Sequence, residues 1–296
     1  MADTTSSFSD LPGVELTTEH GLPAVRVATA QASGLVYLQG AHVAAWQPAG
    51  QAPVIWMSPN AVYAPGKALR GGVPICWPWF GANAEHPKYP AHGFARTRDF
   101  SYRGARLDAA GRCELELALV NDAQTEALFP FAFELRLRVA FGATLQLELE
   151  VENRAGQPFS FEEALHSYFA VSDVKQVAVR GLQGARYADK LRNMAVFTEE
   201  ADELRITGET DRVYESAATC QIVDPGAGRT LAVEKHASAA TVVWNPWAER
   251  AVQMSDLGAD AWPGMLCVES ANVGSAKITL APGEAHILRV AVSLSP

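Results

Sequence analysis

The chain has 296 residues, 48% of them apolar and 19% charged, with a formal net charge of −9. That apolar content supplies a sizeable core and excludes a largely disordered chain. The acidic balance, with no compensating basic run, excludes nucleic acid as the expected partner. Four cysteines (Cys76, Cys113, Cys220 and Cys267) lie far apart, with neither CxxC nor Cys/His metal spacing, and read as free thiols of a reducing compartment. The opening MADTTSSFSDLPG is polar and acidic and lacks the pattern of a secretory signal. No apolar run approaches the ~20 residues of a membrane-spanning helix. A soluble cytoplasmic monomer without a membrane partner is expected.

Taken in order, residues 1–12 read as a flexible N-terminal tail. Short strands follow: Val14 to Thr17, Ala24 to Thr29, LVYLQG, HVAAWQP and PVIWM, each bounded by Gly, Pro or Asn. His42 sits between two of them and reads either as a structural residue or as one facing a cleft. The stretch from Leu69 to Arg96 then breaks the pattern: LRGGVPICWPWFG, a short loop and HGFAR. Its prolines argue against a central strand, and Gly71 and Gly72 suit a tight turn where backbone passes close to something. Trp77, Trp79 and Phe80 make a broad apolar wall between two guanidiniums, Arg70 and Arg96, with His92 beside the second. Such a surface suits a ligand that is part apolar face and part anion. The alternative is that the tryptophans plug a core and the arginines are solvated.

Strand character returns at Asp99 to Tyr102 and Cys113 to Val120, and NDAQTEALFP predicts one helical turn capped by Asn121 or Asp122. FAFELRLRVAF and TLQLELEVEN alternate apolar and polar residues on either side of Gly142. They predict an antiparallel hairpin with one buried face and one solvated face carrying Glu134, Arg136 and Arg138. FSFEEALHSYFAV reads as a strand bending near Glu162 and Glu163. Further strands are expected at Val213 to Tyr214, Thr219 to Val223, Thr230 to Glu234, Thr241 to Trp244, Met265 to Glu269, Ala276 to Leu280 and His286 to Val292, with a short helix in PWAERAVQMSD. Many strands without alternating long helices predict an all-β fold, a large antiparallel β-sandwich occupying residues 13–296 as a single domain.

Phosphate-loop, GxSxG, HExxH and EF-hand patterns are missing, so neither a metal nor a cofactor is expected. Acid/base chemistry needs a proton donor and an acceptor on either side of a substrate. His166, in an apolar-aromatic strand, is the candidate donor, the alternative being a core histidine. Glu269, ending MLCVE, is the candidate acceptor, the alternative being a surface strand end. Trp244 opens a second rigid aromatic corner, WNPW, which reads either as packing or, with the Trp77/Trp79 wall, as the completion of a sugar-sized cleft. Asp211, in TGETDRVYE, is either a ligand for sugar hydroxyls or a solvated carboxylate.

These segments in this order — LRGGVPICWPWFG, HGFAR, LHSYF, VVWNPW and CVESANV — resemble the glucose-6-phosphate 1-epimerases (hexose-6-phosphate mutarotases) of the aldose 1-epimerase, galactose mutarotase-like superfamily. The resemblance runs from about Val14 to Val292. It implies a β-supersandwich with an open site on a concave face, an isomerase acting on a hexose phosphate, His166 and Glu269 as acid and base, Arg70 and Arg96 as phosphate contacts, and Asp211 on sugar hydroxyls. His92, Trp77 and Trp244 are the further expected substrate contacts. One departure is Ala91, where relatives often carry Gln before HGFAR, and it bears on the choice of substrate. A mutarotase of unphosphorylated aldoses and a non-catalytic carbohydrate-binding protein remain as alternatives.

Overall fold

Two large antiparallel sheets and two smaller ones make up the computed structural model, which describes residues 11–295. Most of the expected tail lies outside them. Leu11 packs against the main core, and its carbonyl accepts the Val14 amide at 3.0 Å.

The alternating segments build the centre of a nine-stranded sheet. Phe133–Phe141 and Leu145–Asn153 pair with Leu137 opposite Leu149 and Arg136 opposite Glu150, joined by the short loop at Gly142. Phe133, Leu135, Leu137, Val139 and Phe141 are all buried, because side chains two apart share a face. Charges on the opposite face are more enclosed than a freely solvated surface. Arg136 lies 2.7 Å from Glu152 and 3.2 Å from Glu150, Arg138 lies 2.8 Å from Glu116, and Glu134 is buried against Arg154. On the far side of Leu145–Asn153 the sheet continues through Ala285–Ser295, Arg229–His236, Cys220–Asp224 and Ala178–Arg180 to Glu203–Arg205.

The eight-stranded sheet runs Ala195–Thr198, Arg186–Asp189, Thr210–Tyr214, Ala240–Asn245, Met265–Asn272, Glu163–Leu165 and Ile75–Cys76, with Tyr168–Ala170 also paired to Met265–Asn272. Every residue of Met265–Asn272 is buried. Leu266 and Val268 enter the main core together with Leu147, Leu149, Leu288 and Val290 of the nine-stranded sheet. By the period of two, Cys267, Glu269 and Ala271 must point the other way. A carboxylate at 1% exposure is thereby set on the face of the sheet that does not pack on the core.

The local readings divide. The turn at Ala123–Glu126 is capped by Asp122 in a capping box with Thr125, and the short helix forms at Trp247–Val252. The segment 159–171 becomes three short strands, Phe159–Phe161, Glu163–Leu165 and Tyr168–Ala170. PVIWM is not a strand, because its amides go to three different neighbours: Val54 to Trp46, Trp56 to Tyr168, and Ser58 just beyond it to Arg70. The four cysteines are free and buried. Among the described residues no helix is long and apolar enough to cross a membrane.

Candidate active site

Strand register assembles the site. Asp211 stands opposite Trp244, Trp244 opposite Cys267, and Cys267 opposite Tyr168, while Glu269 stands opposite Val242. Directly paired residues share a face, so one row crosses four strands with Glu269 beside it. Above the row lies a cavity of about 600 Å³. His166, in the break between Glu163–Leu165 and Tyr168–Ala170, is anchored by its amide to the Pro74 carbonyl at 3.0 Å. Its Nε2 lies 3.3 Å from Glu269 Oε1. Residues 103 positions apart in sequence thus meet at the cavity floor, which both of them line.

Burial governs the protons here. It pushes the Glu269 carboxyl well above the ordinary value of 4.5 and the His166 imidazole well below 6.5, the latter helped by His92, Arg96 and Arg70. A low-dielectric setting disfavours two separated charges. Burial thus favours the neutral form of the pair, with the proton on Glu269 facing His166 Nε2 across 3.3 Å. Glu269 Oε2 and His166 Nδ1 are buried with no hydrogen-bond partner among the described residues. Unpaired buried polar atoms are costly, so their position marks them for a polar ligand.

Arg70 lines the cavity and is held from two sides. Its Nε and Nη2 reach Asp256 Oδ2 at 3.1 and 3.0 Å, and its Nη1 donates to the Tyr168 hydroxyl at 3.0 Å. Two of the five guanidinium N–H bonds remain for a ligand. The preceding expectation of a close backbone approach holds at Gly71 (φ 104°), where a Cβ would sit 2.6 Å from Met57 Cα. Beneath Gly72 lies His42, 1% exposed, with its pKa pushed down to about 3 chiefly by burial, so it is a structural residue. His92 faces the cavity. The Gly81 amide donates to its Nδ1 at 3.3 Å, which leaves Nε2 as the N–H, and burial followed by the Arg96 charge pushes its pKa to about 3. A neutral donor at every working pH results.

His166, Glu269, Arg70, His92, Asp211 and Trp244 all line the one cavity. Arg96 stands just behind it: Nη2 donates to the Ala91 carbonyl at 2.8 Å, and Nε is buried without a partner among the described residues. Trp77 is a correction. It is fully buried and packs against Phe94, Phe129, Phe133 and Phe161 with ring centroids 4.5–6.1 Å away, so it has no face to offer a substrate. Trp79 leans on Tyr89 and Phe94 instead of the cavity. The aromatic surfaces at the site are Trp244 and Phe80.

Lys190 was not foreseen. It opens a 3₁₀ turn, Lys190–Arg192, whose sequence reads as an ordinary surface turn. Its ammonium nevertheless lies 3.2 Å from Asp211 and 4.6 Å from the Phe80 ring centroid. Burial raises the Asp211 pKa against the pull of Lys190. Among the described residues no group of three or more His, Cys, Asp or Glu side chains is arranged to hold a metal ion.

An antiparallel supersandwich with an open polar cavity on one large sheet places the chain among the mutarotase-like proteins. It superposes on the crystal structure of YeaD from Salmonella typhimurium, provisionally described as a mutarotase, with a TM-score of 0.90 and 32% identity over 97% of this chain and 95% of the other. The chain belongs to the aldose 1-epimerase family, whose profile matches residues 24–293, and it is an epimerase of the isomerase class. Two relatives carry the provisional name glucose-6-phosphate 1-epimerase. The protein of Cenchrus ciliaris is 37% identical over 88% of this chain and 81% of its own length, and that of Escherichia coli K12 is 34% identical over 84% and 83%.

Proposed function

We propose that this epimerase interconverts the α and β anomers of glucose 6-phosphate, or a closely related hexose 6-phosphate, by opening and reclosing the sugar ring without a cofactor. The observation that carries the reading is the 3.3 Å contact of His166 with Glu269 at the floor of a cavity that also presents Arg70 and Lys190. The names of the two relatives support the phosphorylated substrate.

The pair shares one transferable proton. A phosphate dianion drawn to the two free N–H groups of Arg70, with the charge of Arg96 behind, offsets the positive potential that adds to burial in holding His166 down. The proton then passes from Glu269 to His166. Glu269, now a carboxylate, takes the proton from the anomeric O1 hydroxyl while His166 donates to the ring oxygen, and the C1–O5 bond breaks to give the aldehyde. Rotation about C1–C2 and reversal of both transfers close the ring on the other face. Neither residue is consumed. Trp244 and Phe80 supply apolar faces for the sugar, and Asp211 and His92 supply an acceptor and a neutral donor for its hydroxyls.

Activity needs exactly one proton on the pair, so the pH profile follows its two macroscopic steps. Because burial moves His166 down from 6.5 and Glu269 up from 4.5, the two limbs separate. We expect a broad, flat-topped rate profile, with the acid limb set by a second proton on His166 and the alkaline limb by loss of the last proton. A sharp maximum confined between 4.5 and 6.5 would contradict this.

An ordinary aldose mutarotase is the second reading, and one observation favours it: Asp256 already offsets the charge of Arg70, and Asp211 that of Lys190. Arg70→Ala separates the two. Loss of charge-assisted hydrogen bonds is expected to raise KM for glucose 6-phosphate about 10–100-fold and leave KM for glucose unchanged. Equal effects on both sugars would favour the unphosphorylated substrate.

A further inference from the structure

Tyr168 is 2% exposed and does not line the cavity, yet it touches both halves of the machinery. Its hydroxyl accepts from Arg70 Nη1 at 3.0 Å. Its ring lies parallel to the His166 imidazole, with centroids 4.8 Å apart and planes 11° apart. Trp56 stacks with the same phenol at 5.9 Å and 17°. The backbone repeats the connection: the Tyr168 amide donates to the carbonyl of Gly72, two residues from Arg70 in the same turn.

A catalytic imidazole is ordinarily oriented by a hydrogen bond to the ring nitrogen that does not do the chemistry. Among the described residues no other side chain partners His166 Nδ1. Glu269 holds the ring at Nε2, 3.3 Å away, and the plane of the ring is set by the parallel phenol together with the edges of Trp244 and His92, 6.0 and 5.9 Å away. Resting on the functional reading above, we propose that Tyr168 is a positioning residue that couples capture of the substrate phosphate at Arg70 to the orientation of the His166 imidazole. Movement of the guanidinium toward an anion pulls on the phenol hydroxyl, and the phenol is the surface on which the imidazole lies.

Two substitutions in the full chain separate the halves of this coupling. Tyr168→Phe keeps the stack and removes the acceptor for Arg70. For glucose 6-phosphate, KM is expected to rise about tenfold and kcat to fall about threefold, since the captured anion no longer acts on the imidazole, while KM for glucose is unmoved. Tyr168→Leu removes the stack, and kcat is expected to fall about tenfold with a displaced acid limb of the pH profile. A purely structural role would lower the yield of folded protein while leaving kcat, KM and the pH profile of the surviving molecules intact, and that result would overturn the proposal. So would a Tyr168→Phe enzyme with the wild-type KM for glucose 6-phosphate.

A second readout does not depend on turnover. With inorganic phosphate as the probe, the His166 imidazole resonances are expected to shift on titration in the wild type and to shift by a clearly smaller amount at saturation in Tyr168→Phe, which keeps the through-space effect of the anion and loses the part carried by the phenol. An unchanged response in Tyr168→Phe would refute the coupling. Absence of glucose 6-phosphate exchange by the wild type would instead refute the functional reading, leaving the phosphate titration to decide the coupling.

Discussion

His166→Ala and Glu269→Gln are each expected to slow anomer exchange of glucose 6-phosphate by about 10²–10⁴-fold, the usual contribution of a positioned acid or base. The argument rests on place. Glu269 is 1% exposed and lies 3.3 Å from His166, so no bulk water substitutes for either group at the cavity floor. Glutamine keeps the shape of the side chain but cannot hold the proton, and alanine leaves the Glu269 carboxyl with no base beside it. Since the two act on one proton, the double variant is expected to be little slower than either single one. Effects that multiplied would mean the two residues work in separate steps. Circular dichroism and unfolding midpoints should match the wild type closely enough to assign the loss to chemistry.

Trp77→Ala is expected to act on stability instead. Removing a fully buried tryptophan from a cluster of four phenylalanines costs about 3–5 kcal/mol by loss of burial and the cavity left behind. Urea unfolding should show a much lower midpoint, while the KM of the folded molecules stays near that of the wild type. Trp77→Phe, which retains most of the packing, should recover a large part of the midpoint. A rise in KM with an unchanged midpoint would return Trp77 to the substrate site.

That residue also shows where sequence reading ends. Alternation decides which side of a strand faces the core, and in Phe133–Phe141 it was enough to place the five core-facing residues, though not the burial of Glu134 and Ala140 on the other face. It has no counterpart in WPWFG, where the chain follows a loop. Trp77 turns inward and Phe80 reaches the cavity, and no period distinguishes them. Glu269 was recognisable as an anomaly, a carboxylate ending an apolar run. That it belonged to a strand buried on both faces depended on partners at Ala240–Asn245 and Glu163–Leu165. Short strands such as Ala178–Arg180, Ala195–Thr198 and Glu203–Arg205 went unseen because three or four residues carry no readable period.

Partnerships set by long-range register were equally hidden. Asp256 meets Arg70 across 186 residues, and Lys190 meets Asp211 across two intervening strands. Nothing in either local sequence distinguishes these charges from solvated ones. The residues proposed to carry the chemistry were therefore easier to recognise than the residues that hold them in place.

The central claim is tested most directly by exchange NMR on an equilibrium mixture of glucose 6-phosphate anomers, with glucose measured in parallel. Cross-peaks between the α and β anomeric protons growing well above the buffer rate for the phosphosugar, and lost in Glu269→Gln, are the predicted result. Exchange no faster than buffer with glucose 6-phosphate, in a folded wild-type protein, would contradict it.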